Sequence, residues 1–526
     1  MLRKCVFLSY TGVMEKISTF LKSRKGHLLV IALGALFTIV PLFHSSIWFD
    51  ESYSVAIARH PFTEIWAIDS HDVHPVFYYF VLHVLYLVFG DNVLVYRLFS
   101  WLCLVLLGIF GYTHIRKSFG EWIGVLFSFF VFFFPVNVAY AGEIRMYTLV
   151  MLLVTIAGYY AWRIHEAEDN AIQPWILFSL CTILSAYTHY YGLIAAAIMN
   201  LFLLVESIVE CIKLKRINRR IGMWFLFAFV QIGAYMPWLL TLLSQMATVK
   251  NSFWITFYFP WTILEMAQFQ VSGNLDGTFF VPSWLVYTFL IFAIGYLIYC
   301  FAVRRKKRDG VLVYSGGVYA GVIALAYAAS KLMNRMIVYA RYLLVCTGLL
   351  FIAVAKLLVE GGKKGINILF CAALFLMSCI GLLSNIRINY DPSNDDMVSL
   401  VSSMIQKEDA ILVTNYDQDA NSFIPLSLFP GHTVFYWNVC EWNEESIEAY
   451  KAYGDMQVID SLDEIAGYEG RLWLLYGDGG NDQFNSLVYE VSDQVSEALG
   501  RKPAVLEYRE TEYKHIQYTI ALYEEG

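Results

Sequence analysis

The residues able to do chemistry gather in a few short stretches of this chain. Trp48-Phe49-Asp50-Glu51-Ser52-Tyr53 sets two carboxylates side by side, and Asp69, His71, Asp72 and His74 follow before Pro75. A carboxylate within hydrogen-bond reach of a hydroxyl takes its proton as that oxygen attacks, so Asp50, with Glu51 beside it, is the candidate base. Asp50 also fits as the N-cap of a helix starting at Glu51. Asp50, Glu51, His71, Asp72, His74 and His189 offer hard and borderline ligands for a divalent metal ion, with Asp50 and His74 the first candidates. No spacing among them demands a metal.

Three further clusters recur along the chain. Glu143 and Arg145 lie in Tyr140-Ala141-Gly142-Glu143-Ile144-Arg145-Met146-Tyr147, where they can bind a substrate or pair as a helix-end ion pair between interfacial tyrosines. His189 lies in Thr188-His189-Tyr190-Tyr191-Gly192, either as a site residue or as an interfacial histidine. Lys331, Arg335 and Arg341 form a basic group, with Arg341-Tyr342 just inside an apolar run. An arginine there wants an anion or a route to the headgroups. A guanidinium binds a lipid phosphate through two parallel hydrogen bonds.

The elements that must position these residues are membrane spans. The chain is 58% hydrophobic and only 15% charged, with a mean hydropathy of +0.54. Soluble domains carry about 25% charged residues. Apolar runs of span length occur at 27–43, 94–115, 120–138, 146–163, 174–188, 191–212, 221–243, 284–303, 311–330, 336–358 and 365–384. A shorter run, 75–89, is expected to lie in the interface without crossing. The basic clusters Lys16–Lys25, Arg116-Lys117, Lys213–Arg220, Arg304–Arg308 and Lys363-Lys364 then all fall on one side, the cytoplasmic one. This predicts eleven crossings, an N-terminus inside, and an outer loop over 44–93. Residues 27–43 are expected to be a retained span, not a cleaved signal.

The apolar character stops near residue 390. Residues 391–526 hold 7 basic and 26 acidic residues, whereas residues 1–390 hold 30 and 18. A domain boundary is therefore expected there: a transmembrane domain over 1–390 and an acidic extracytoplasmic α/β domain over 391–526. Strands are predicted at 410–414, 433–437, 456–459, 471–476, 504–508 and 516–523, with helices at 397–406, 446–453 and 482–499. Gly477-Asp478-Gly479-Gly480 follows a strand and precedes a helix, as a phosphate cradle or a plain turn. Nine cysteines include no CxxC pair, and Cys440 stands alone in the acidic domain, so neither zinc fingers nor a disulfide scaffold is expected.

The order of these motifs resembles a family. Asp-Glu after the first span, Asp-x-His-Pro before an aromatic helix, Arg97, Glu-x-Arg-Met-Tyr, Thr-His-Tyr-Tyr-Gly, Pro237-Trp238 and Arg341-Tyr342-Leu343 look like the bacterial protein O-mannosyltransferase-like branch of the GT-C fold glycosyltransferases. The lipid A aminoarabinose transferases are relatives of that branch. The likeness runs from about residue 44 to 345 and departs at His74-Pro75-Val76, where a second proline is usual. It implies that Asp50 is the proposed base, or a metal ligand as in some relatives. It also implies that Glu143 and Arg145 form the second outer motif and that Arg341 lies near the carrier phosphate.

The expected activity is transfer of a sugar from a polyprenyl-phosphate-linked donor to an acceptor protein, lipid or cell-wall glycan. It would take place on the outer face of the plasma membrane, with inversion and without nucleic acid. Asp50 and Glu51 are the catalytic candidates. Asp72, His74, Glu143, Arg145, His189, Lys331, Arg335 and Arg341 are the binding candidates. A lipid-linked sugar transporter is the rival. It would be expected to show internal repeats and broken helices at the midplane, whereas this sequence shows no repeat and its polar residues cluster at one face.

Overall fold

The computed structural model describes residues 15–72, 74–167, 171–252, 261–273, 281–304, 309–416, 420–439, 444–478 and 484–526. Parts of two expected features, the basic run 305–308 and the turn residues Gly479 and Gly480, lie outside the described residues. The protein is a polytopic helical membrane protein with a C-terminal α/β domain. Among the described residues, nine helices are long and apolar enough to cross a membrane. They are Arg24–Leu42, Val93–Phe119, Tyr147–Glu166, Tyr190–Leu214, Arg219–Ala247, Ser283–Val303, Gly310–Met333, Ala340–Gly361 and Lys364–Met404. Tyr147–Glu166 and Ala340–Gly361 are the most enclosed of these. Leu36, Leu240, Ile291 and Leu383 on other helices stay exposed, as lipid-facing positions do.

One expected span departs from the sequence reading. The run 174–188 forms Ile172–Ala186, the same length shifted by two residues. The run 120–138 is not one helix: Glu121–Phe133 stops at Phe134, which is extended (φ −88°, ψ 127°), and Pro135–Tyr140 begins a second helix. The proline ring bars the preceding residue from helical geometry, which explains the break.

Contacts at the helix ends sort the bundle into two polar ends. At one, Arg116 donates to the Lys22 carbonyl, Arg220 to the His165 and Ala167 carbonyls, and Tyr296 to the Lys363 carbonyl. At the other, Asn389 donates to the Pro41 carbonyl, Gln245 to the Asp69 carbonyl and Tyr191 to the Ile337 carbonyl. The nine long helices and the two short runs alternate between these ends. The Phe77–Phe89 helix does not join the alternation. The Phe77 amide donates to the Tyr187 carbonyl at its start, and Asp91 beyond its end pairs with Arg59. Both its ends therefore lie at the second polar end, with Gly90 (φ +69°) turning the chain after it.

The C-terminal region forms a six-stranded sheet in the order β3-β2-β1-β4-β6-β5. The strands are β1 (Ala410–Thr414), β2 (Thr433–Trp437), β3 (Met456–Ile459), β4 (Leu472–Asp478), β5 (Val505–Glu510) and β6 (Gln517–Tyr523). Pairs β1–β2, β2–β3 and β1–β4 are parallel, whereas β6 runs antiparallel to both β4 and β5. The fully buried strand β1 is a continuous apolar run, AILV, as central parallel strands are.

This domain sits directly on the Phe49–Ala58 helix. Tyr450, stacked on Phe423 at 4.8 Å, donates to Ser52 Oγ at 2.9 Å. Arg59 and His60, just past that helix, bond the Ala452 and Ala449 carbonyls. Every residue from Glu51 to Ala58 is buried, so the helix is held between the membrane bundle and the soluble domain.

Candidate functional site

The Phe49–Ala58 helix presents its two carboxylates in different directions. Asp50 lies in the first turn with its Oδ2 2.8 Å from Arg341 Nη1 and 3.7 Å from Arg145 Nε. Arg341 comes from the short turn Ala340–Leu343 that opens a central span, and Arg145 from the loop before the other central span. Their convergence on Asp50 depends on the two enclosed helices starting at the same polar end. Burial pushes the Asp50 carboxyl up, but the cations around it, led by Arg145 and Arg341, outweigh it and hold it below the usual 3.8. Despite the two ion pairs, Oδ2 accepts no aligned hydrogen bond among the described residues.

Glu51 faces the other way. Its Oε2 meets Arg97 Nη2 at 3.1 Å and accepts from Tyr513 Oη at 3.2 Å, and its Oε1 accepts from the Ile144 amide at 3.1 Å. Arg97 also donates to the His44 and Ser46 carbonyls. Glu51 therefore ties the first loop, the Val93–Phe110 helix, the loop before Arg145 and the C-terminal domain together. A carboxylate with every strong contact filled is a clamp, and breaking such a buried pair costs about 3–5 kcal/mol.

Arg145 is the hub on the Asp50 side. Its Nη2 lies 3.1 Å from His74 Nε2, and its Nη1 reaches Ser54 Oγ and Tyr79 Oη, each at 3.4 Å. Arginine only donates, so His74 Nε2 accepts and its Nδ1–H donates to Asp72 Oδ2 at 3.0 Å. The sequence-predicted Asp72, His74, Arg145, Asp50 and Arg341 thus form one chain of contacts.

His189 is buried at the edge of this group. Its Nδ1 caps its own helix through the Tyr191 amide, and its ring lies 5.2 Å from Tyr342 and 6.4 Å from His74. Lys331 stands exposed at the end of the Val318–Met333 helix, with Arg335 in the turn beyond it. Neither is an ion-pair partner of Asp50 among the described residues. His71 is exposed and bonds its own turn at the Ala67 carbonyl.

Glu143 is placed beside the Asp50 group but outside its ion pairs. Burial pushes its carboxyl up to about 8, against the opposing pull of Lys514 and Arg341. Its Oε1 has no hydrogen-bond partner among the described residues.

Several residues here carry no sequence signal. Tyr513 and Lys514 belong to the connection between β5 and β6, more than 450 positions from Asp50. Lys514 Nζ lies 4.2 Å from the Trp48 ring centre, and the Arg341 guanidinium lies 5.7 Å from the same ring. Lys514 and His515 both have positive φ, 55° and 52°, which turns this connection sharply toward the membrane domain. Asp69 is fully buried with neither carboxyl oxygen bonded among the described residues. Burial, then Asp72, push its carboxyl well above the usual range. The sequence sets Asp69 in the same acid–histidine stretch as Asp72 and His74, but its burial depends on the fold.

Asp50 and His74 do not fit a divalent cation. Asp50 already faces two guanidinium groups, and the two nitrogens of His74 are engaged by Arg145 and Asp72. A metal there would add positive charge where cations already predominate.

No family model matches this chain, and no curated protein matches it in sequence. Among solved structures it is similar to ArnT from Cupriavidus metallidurans in the apo state. That likeness has a TM-score of 0.47 at 13% identity, and covers 94% of this chain and 97% of that one. It is also similar to ArnT from Cupriavidus metallidurans bound to undecaprenyl phosphate, with a TM-score of 0.46 at 13% identity, covering 95% and 98%.

Proposed function

We propose that this chain is a membrane glycosyltransferase that moves a sugar from a polyprenyl-phosphate-linked donor to an acceptor hydroxyl, with inversion, at the outer membrane face. One observation carries this reading. A single carboxylate, Asp50, is held between two guanidinium groups, Arg341 and Arg145, at the polar end of an apolar bundle. Positive charge exceeds negative charge there, and the anion best suited to it, while its tail stays in the bilayer, is a lipid phosphate.

The chemistry follows from the two kinds of group. The acceptor oxygen attacks the anomeric carbon from the face opposite the phosphate, and Asp50 Oδ2 takes its proton. As that bond forms, the bond from the anomeric carbon to the phosphate oxygen breaks. Polyprenyl phosphate departs with the electron pair, and Arg341 and Arg145 stabilise its growing charge. Asp50 is a weak base while two cations face it. A bound phosphate neutralises those cations and raises the basicity of the carboxylate, so the base is strengthened when donor is present. His74 and Asp72 hold Arg145 in place, and Glu51 holds the helix that carries Asp50. No step runs through a metal.

The outer-face assignment rests on the opposite end of the bundle, which carries Lys22, Arg116, Lys117, Lys213–Arg220 and Lys363-Lys364. Basic residues in short loops stay cytoplasmic. The site and the C-terminal domain then face outward from the plasma membrane.

The test is donor turnover in proteoliposomes with a panel of polyprenyl-phosphate sugars, reading free polyprenyl phosphate by mass spectrometry. Release by wild type, lost in Asp50→Asn while donor still binds, is the expected result. Equal release from both proteins would remove Asp50 from the mechanism. Donor movement across the bilayer without release would put the transporter first.

A further inference from the structure

The helical turn that carries Asp50 is gripped from outside the membrane bundle. Tyr513 Oη donates to Glu51 Oε2 at 3.2 Å, Tyr450 Oη donates to Ser52 Oγ at 2.9 Å, and Lys514 Nζ lies 4.2 Å from the Trp48 ring centre. All three side chains belong to the C-terminal domain, and their partners flank Asp50 on both sides in sequence. Tyr450 and Tyr513 are buried, so each hydroxyl is committed to the helix that carries the proposed base. The Trp48 ring also meets the Arg341 guanidinium, at 5.7 Å. The contacts therefore bear on both members of the Asp50–Arg341 pair.

This turn needs such support. Asp50 lies in the first turn of its helix, whose start has no side-chain cap. First turns are where helices fray, because their amides have no partners within the helix. Asp50 Oδ2 itself accepts no aligned hydrogen bond among the described residues, so the turn beneath it sets where the carboxylate points. The hairpin that reaches it is braced. The Thr511 amide donates to the Ile516 carbonyl at 2.9 Å, and its buried Oγ1 lies 3.0 Å from the Tyr513 and Ile516 carbonyls. Between them Lys514 and His515 both take left-handed backbone, at φ 55° and 52°. Side chains disfavour that region, and it persists where surrounding bonds impose it. The tip is thus held in a costly shape that delivers Tyr513 to Glu51 and Lys514 to Trp48.

We infer that Tyr513 and Tyr450 are positioning residues for the transfer step, through which the C-terminal domain fixes the turn that aims Asp50. This rests on the glycosyltransferase reading above. Both tyrosines act through Glu51 and Ser52, the next two residues after the base. Arg97 and the Ile144 amide hold Glu51 from the membrane side, so loss of the Tyr513 hydroxyl leaves the chain folded. What it removes is the restraint from the other side. A base must stand within hydrogen-bond reach of the proton it takes, and a displacement of about 1 Å costs on the order of 10²-fold in rate. The effect belongs in the rate of the chemical step and not in the binding of the lipid phosphate, which sits on Arg341 and Arg145.

The experiment uses the full-length protein in proteoliposomes, with the polyprenyl-phosphate sugar that wild type turns over. It reads the single-turnover rate of polyprenyl phosphate release per folded molecule, and separately the Kd of plain polyprenyl phosphate. Tyr513→Phe removes one hydroxyl and is expected to slow release about tenfold with that Kd within about twofold. Tyr450→Phe and Ser52→Ala remove the same bond from its two sides and are expected to slow release by a smaller, matching factor. Tyr518→Phe is the control. It lies in the same domain, its hydroxyl has no hydrogen-bond partner among the described residues, and wild-type release is expected. In an Asp50→Asn background, Tyr513→Phe is expected to cost nothing further, because residues that act through one group are not additive. An equal loss in both backgrounds would overturn the inference, as would a loss seen in polyprenyl phosphate affinity instead of rate. If Tyr513→Phe does not fold, Tyr450→Phe and Ser52→Ala carry the test, and wild-type release from both would overturn it. Asp50→Asn alone separates the two readings. Normal release by it sinks the base and this inference together, whereas its loss beside wild-type rates in the tyrosine variants sinks this inference only.

Discussion

The two polar ends of this bundle use the same residue types to opposite effect. At the basic-loop end, Asp309 lies 3.2 Å from Lys356 Nζ and 3.5 Å from Arg304 Nη1, and Lys356 also meets Glu360 at 2.5 Å. Two acids face two bases, and Asp309 also accepts from the Val311 amide as a helix cap. At the other end Asp50 faces Arg145 and Arg341 with Lys514 nearby, Asp72 is set back behind His74, and Asp50 Oδ2, Arg145 Nε and Arg341 Nε accept or donate no aligned hydrogen bond among the described residues. Charges buried for architecture come balanced and bonded, because an uncompensated buried charge costs several kcal/mol. A cluster left unbalanced and under-bonded in the same molecule is built around something that arrives later. The predictions below test that contrast.

The largest effect is expected from the acid of the unbalanced cluster. Asp50→Asn keeps the shape and removes the base, so sugar transfer should fall about 10³-fold with donor binding retained or tightened, since a negative charge leaves the phosphate site. Single-turnover transfer alongside donor binding reads both. Transfer within about tenfold of wild type would mean that the cluster is architectural after all.

Arg341 comes next. Arg341→Ala should cost about 10²-fold or more in transfer, as loss of a preorganised cation at a departing oxyanion does. It also carries a pH signature. Arg341 helps hold the Asp50 carboxyl below its ordinary value, so in wild type the free enzyme loses its base only as pH falls below about 3.8. Without Arg341 the carboxyl rises, and the acid limb of kcat/KM must move to higher pH. A limb unmoved by the substitution would show that Asp50 is not the group titrating.

The balanced end should answer in stability alone. Asp309→Asn leaves Lys356 and Arg304 without their shared acid and should destabilise the protein by about 3 kcal/mol. Transfer per folded molecule should not change. A specific loss of transfer with stability intact would erase the distinction between the two ends.

What the sequence shows of this molecule follows the range of the forces involved. Spans are legible because twenty apolar residues in a row have few other uses, and the strands of the C-terminal domain, short apolar runs between turn signals, fall within about two residues of their expected edges. The break at Phe134 was readable in principle from Pro135. Asp72, His74, Arg145, Asp50 and Arg341 stand out as charges at span ends, and the fold brings them together. Their division of labour does not stand out. Asp50 and Glu51 are adjacent, yet the rotation of about 100° between neighbouring helical residues sends one toward Arg341 and the other toward Arg97 and Tyr513. Lys514 is one of many charges in an acidic domain until a hairpin with two left-handed residues places it over Trp48. Such contacts depend on how two domains dock, and no local pattern records that.

The smallest effect distinguishes a polar atom waiting for a ligand from one that is merely strained. Glu143 has its carboxyl raised from the ordinary 4.5 to about 8, chiefly by burial. A carboxyl whose folded value lies above its unfolded value stabilises the protein fully below the unfolded value. That contribution is lost as pH rises through the folded one. Wild type should therefore lose stability relative to Glu143→Gln between pH 4.5 and about 8, and no further above that. The difference in Tm should be on the order of a few °C. Glutamine cannot ionise, so its curve lacks this descent. If the two melting curves stay parallel across this range, Glu143 titrates as an ordinary surface acid and its orphaned oxygen is solvated.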